Sequence, residues 1–161
     1  MNTGSQTLPQ RPQRLLRDGL IASVERYPAK EAVVVEGKSF TYAELYDASS
    51  RLSNALIERG IQRGDRVAIY MDNTWPCIVS IYAILLSGGV FFTINPQTKA
   101  DKLEYILNNS ESKLLLSDSH LAKVYLQALI KAPLVKNVIL SGKKPDDIEL
   151  KDVSIESFDE I

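Results

Sequence analysis

Residues 65–96 carry two short β-type runs separated by an apolar stretch and a glycine pair, and few folds accommodate that order. The first run is Arg66-Val67-Ala68-Ile69-Tyr70-Met71. A polar corner follows, Asp72-Asn73-Thr74-Trp75-Pro76, and then the apolar residues 77–86. After Ser87-Gly88-Gly89 comes Val90-Phe91-Phe92-Thr93-Ile94, which stops at Asn95-Pro96. Both runs are short and rich in β-branched and aromatic residues, as buried strands are. The glycines stand where a helix takes a left-handed C-terminal cap, so at least one of them is expected at positive φ. Strand, helix and strand predict a βαβ unit with parallel strands and a right-handed crossover.

The same region allows a second reading. No charged residue lies between residues 73 and 98, a stretch long enough to cross a bilayer. Trp75-Pro76 at its start, the internal Gly-Gly pair and the β-type run beyond argue against a spanning helix. No Lys or Arg cluster flanks it to set an orientation.

At 161 residues the chain can form one domain with a sizeable core. Its formal net charge of -1 argues against a dominant nucleic-acid or anionic-membrane surface. One cysteine, Cys77, excludes an internal disulfide. Together with one histidine, His120, it cannot build a Cys/His zinc site. The N-terminus lacks the apolar core of a signal peptide, so the expected location is cytoplasmic.

In chain order, residues 1–12 read as a disordered tail and residues 13–161 as the folded part. Leu16, Leu20 and Val24, with Ile21 adjoining, predict one helix face over residues 13–26, ended by Tyr27-Pro28. Residues 32–35 and 39–41 predict a hairpin around Glu36-Gly37-Lys38. Thr41 and Glu44 have the spacing of a capping box. The helix they open buries Leu45, Ala48, Leu52, Ala55 and Leu56 and ends at Gly60. Arg63-Gly64-Asp65 reads as a turn rather than an integrin tripeptide. Thr98 is expected to cap a helix over residues 99–108 with Leu103, Ile106 and Leu107 inward. A strand follows at residues 113–116. Asp118 is expected to cap the next helix, through Leu121, Val124, Tyr125 and Leu129, which Pro133 breaks. Residues 138–140 form another strand, and residues 153–158 carry a weaker signal. Strands alternating with helices predict an α/β fold with a mostly parallel sheet flanked by helices.

The residues themselves carry little chemistry. Ser141-Gly142-Lys143-Lys144 follows a strand but lacks the spacing with which a phosphate loop wraps its ligand, and reads as a turn. Asp146 and Asp147 read as a solvated loop, and His120 as a helix-entry residue. No catalytic residue and no metal site is assigned. Open α/β sheets bind ligands beyond the carboxyl ends of their strands. Those ends are residues 72–75, 95–97 and 117–120, with Asn73, Trp75 and Asn95 as the substrate-side candidates. The alternative for Trp75 is a ring that closes the core over the helix start.

Two stretches support a family resemblance. Phe40-Thr41-Tyr42-Ala43-Glu44-Leu45, followed in register by Gly64-Asp65-Arg66-Val67-Ala68-Ile69, resembles the first core motif of the adenylate-forming enzymes. That superfamily includes acyl- and aryl-CoA synthetases, firefly luciferase and nonribosomal peptide synthetase adenylation domains. Residues 85–96 resemble its second motif, with Leu86 where the family usually has a basic residue and Thr93 where it often has proline. The resemblance implies that this is part of the large N-terminal, AMP-binding domain, truncated before the phosphate loop, and none of the family's catalytic residues has a counterpart. It implies a parent enzyme using ATP and magnesium, with neither bound by this segment alone. The parent would join a carboxylic acid to AMP and pass the acyl group to a thiol, of coenzyme A or of carrier-protein phosphopantetheine. Asn95-Pro96 resembles the acyl- and aryl-activating branch. The implied partners are these substrates and the remainder of the same enzyme, with no nucleic acid and no membrane span. The alternative is a free-standing, degenerate α/β binding module without catalysis.

Overall fold

The computed structural model describes residues 15–144 and 150–161. The expected tail at residues 1–12, and Asp146 and Asp147, lie outside the described residues. Helix α1 (Leu16–Arg26) precedes a hairpin of β1 (Glu31–Val35) and β2 (Lys38–Thr41). Then come α2 (Tyr42–Glu58), β3 (Arg66–Tyr70), α3 (Trp75–Leu86), β4 (Val90–Thr93), α4 (Ala100–Asn109), β5 (Leu114–Asp118), α5 (Ala122–Leu129), β6 (Asn137–Ser141) and β7 (Ser154–Ser157).

The main sheet has the order β4-β3-β5-β6-β7, and every neighbouring pair is parallel. Alternation along the strands separates two cores. Val67, Ile69, Leu114, Leu116 and Ile139 pack with residues of α1, α2 and α3. Ala68, Tyr70, Leu115, Val138 and Leu140 pack with residues of α4 and α5. Strands covered on both faces have no polar side, so they appear in the sequence as unbroken apolar runs. β3 continues into α3 on one face, and β5 into α5 on the other. The gap between the ends of β3 and β5 is therefore the topological switch point of the sheet.

Local chemistry explains several element boundaries. The Thr41–Glu44 capping box forms: the Thr41 hydroxyl accepts the Glu44 N–H at 3.2 Å, and the Glu44 carboxylate accepts the Thr41 N–H at 2.7 Å. The Thr41 N–H and then the Thr41 hydroxyl, which donates to the same carboxylate at 2.9 Å, hold the Glu44 carboxyl below its ordinary range. Gly88 has φ +83, and its neighbour Gly89 donates its N–H to the Ile84 carbonyl at 2.9 Å, a Schellman ending for α3. α3 begins at Trp75, two residues before Cys77, because Pro76 is at home in the first turn, where its missing N–H costs nothing. No helix among the described residues is long and apolar enough to cross a membrane, and α3 itself has 12 residues.

Three expectations fail. Thr98 does not cap α4; Lys99 occupies the N-cap without a side-chain bond. The Thr98 backbone is used elsewhere: its N–H closes a turn on the Asn95 carbonyl at 2.9 Å. Asp118 does not cap α5, because a 3-10 turn, Ser119–Leu121, intervenes and the carboxylate turns towards Asp72 instead. Leu16 is 57% exposed although it shares a helical face with Leu20, which is 3% exposed; only the later turns of α1 reach the core.

Candidate functional site

The exits of β3, β4 and β5 are tied together by side chains. Ser117, the last β5 residue in register with β3, donates its hydroxyl to the Tyr70 carbonyl at 2.8 Å. One residue on, the Asp118 carboxylate accepts the Asp72 backbone N–H at 2.7 Å. Past the end of regular pairing, these bonds continue the junction of the two strands. On the other side, the Tyr70 hydroxyl lies 2.9 Å from the Pro96 carbonyl and 2.8 Å from the Thr98 carbonyl. A phenol has one proton, so it donates to one of the two at a time. Burial, and then the Asp72 charge, push the Tyr70 hydroxyl pKa up, which keeps the proton on the oxygen.

Asp118 is the buried anchor of this rim, at 6% exposure. Burial raises its pKa, while the Asp72 N–H and then the His120 charge oppose the rise. His120 Nε2 stands 3.2 Å from Asp72 Oδ2, and both side chains are well exposed. Asp72, Asp118 and His120 thus place three potential ligand atoms within 4.8 Å of one another. Bonds within the set already engage Asp118 Oδ2 and Asp72 Oδ2.

The sequence candidates occupy this rim unequally. Asn73 is exposed on the corner after β3. Trp75 is half-buried; its ring stacks on Phe40 of β2 with centroids 3.9 Å apart and planes at 8°, and packs against the core of the α1–α3 face. That contact is the core-closing role weighed for it, with the hairpin as its other half. Asn95 is exposed after β4, and its side-chain oxygen accepts the Gln97 N–H at 2.8 Å, so this atom holds its own loop. The corners bearing Asn73 and Asn95 follow adjacent parallel strands and are linked through Tyr70. Gly142 ends β6 in a turn at φ +88, and a Cβ there would lie 2.6 Å from Ser119 Oγ. Its glycine is accounted for by that close approach of the β6 exit to the β5 exit. Sequence reasoning placed Ser117 and Asp118 within the β5 exit without singling them out as the residues that tie the rim, and it missed Tyr70. The available signal was two polar residues closing an otherwise apolar strand.

The AMP-binding enzyme family matches residues 20–159 of the chain. Tyrocidine synthase 3 of Brevibacillus parabrevis is 43% identical over 96 residues, which is 60% of this chain and 2% of that protein. The 3-oxocholest-4-en-26-oate–CoA ligase of Rhodococcus rhodochrous is 28% identical over 118 residues, 73% of this chain and 21% of the ligase. Among solved structures, the anthranilate CoA ligase AuaEII, determined with anthranoyl-AMP, superposes with a TM-score of 0.78 at 19% identity. The superposition covers 84% of this chain and 26% of the ligase, and it is a likeness of fold. The chain spans a small fraction of each of these proteins.

Proposed function

The chain belongs to the AMP-binding enzyme family, and on that basis we propose that it is the N-terminal segment of a ligase that activates a carboxylic acid as its acyl adenylate. In that reaction the carboxylate attacks the α-phosphate of ATP and pyrophosphate leaves. A thiol, of coenzyme A or of carrier-protein phosphopantetheine, then attacks the acyl carbon and AMP leaves. Residues 13–161 would be part of the AMP-binding domain of a cytoplasmic enzyme, and magnesium would offset charge on the phosphates.

The observation that carries the division of labour is the sign of the rim. Between β3 and β5 it holds the exposed Asp72 carboxylate, with His120 beside it, and the buried Asp118 carboxylate. Attack of a carboxylate on a triphosphate gathers anions, and the donors that stabilise them must be fixed in advance. Two carboxylates at the switch point oppose that task. The phosphate-holding groups would therefore come from another part of the enzyme, and this segment would supply the scaffold, with Asn73 and Asn95 on its substrate side and the Trp75 ring closing the core behind them.

The test is pyrophosphate–ATP exchange with a panel of fatty, aryl and amino acids. It is run on the 161-residue chain and on a chain extended downstream. We expect no exchange from the short chain and exchange from the long one with at least one acid. Exchange by the short chain would refute the division of labour. Silence from the extended chain with every acid would favour the degenerate binding module.

A further inference from the structure

We draw no further inference here: the strongest candidate, the side-chain cluster of Asp72, Asp118 and His120 at the carboxyl ends of β3 and β5, is engaged within itself by the Asp72 N–H on Asp118 and by His120 beside Asp72, and no second observation at that rim points to an ion or other ligand.

Discussion

At the scale of single residues, Gly88 and Asp118 carry constraints that their neighbours do not. Gly88 sits at φ +83 to close α3, where a side chain is strained whatever the space around it. We expect Gly88→Val to cost about 1–2 kcal/mol, read as a lowered denaturant midpoint. Gly89 has an ordinary φ but a tight site, where a Cβ would lie only 3.0 Å from Ile84 Cγ2 and 3.3 Å from the Asp65 carbonyl. An unchanged midpoint for valine at both positions would rule out this ending of α3. Asp118 makes a pH prediction. Its pKa is raised in the folded state, chiefly by burial, so the folded chain holds this proton more tightly than the unfolded one. The associated stability is greatest below about pH 3.9, the unfolded value, and declines as pH rises through the raised folded value. We expect Asp118→Asn, which can still accept the Asp72 N–H, to remove this contribution from midpoints measured across that window. Asp118→Ala would instead leave that N–H without its acceptor, at about 1–3 kcal/mol. If the pH dependence of wild type and Asp118→Asn coincided, the burial assigned to this carboxyl would be wrong.

At the scale of elements, α3 is the part whose placement the sequence left in contest between a sheet layer and a membrane. It packs between α2 and the sheet, and Cys77 near its start is 5% exposed. Burial, followed by the Asp118 and Asp72 charges, pushes the Cys77 thiol pKa up, so both access and thiolate content are reduced. We expect a thiol reagent to label the folded chain far more slowly than the chain in denaturant. Equal rates would mean that α3 does not pack as described. Elements were legible wherever the local chemistry was self-contained. The Thr41–Glu44 box, the glycine ending of α3 and the turn at Glu36-Gly37 each need only a few consecutive residues. Thr98 and Asp118 misled for different reasons. Both are ordinary helix-capping types, but Thr98 closes a turn on Asn95 one residue before the N-cap at Lys99, while the Asp118 carboxylate is engaged by Asp72, distant in sequence. Capping propensity is a local preference, and at Asp118 a tertiary bond overrides it.

At the scale of the whole molecule, the parallel sheet was readable from alternating strands and helices, but its strand order was not, because nothing local says which strand β5 will join. The candidate site suffered from the same gap. Asn73, Trp75 and Asn95 could be placed at strand ends, whereas the bonds joining those ends required knowing that β3 lies between β4 and β5. Both cores share this one sheet, so they should melt together. We expect Trp75 fluorescence, which reports the α1–α3 face and its Phe40 stack, and far-UV circular dichroism to give coincident denaturant transitions. Separate midpoints would mean that the two helical layers unfold independently.

The strand order also bears on how the chain is made. β3 is the first strand of the main sheet to leave the ribosome. Every later strand joins one already synthesised: β4 and β5 join β3, β6 joins β5, and β7 joins β6. Among the described residues, no strand of this sheet after β3 has to wait for a later one before it can pair. The sheet can assemble vectorially, outwards from β3 to both sides, at the pace of elongation.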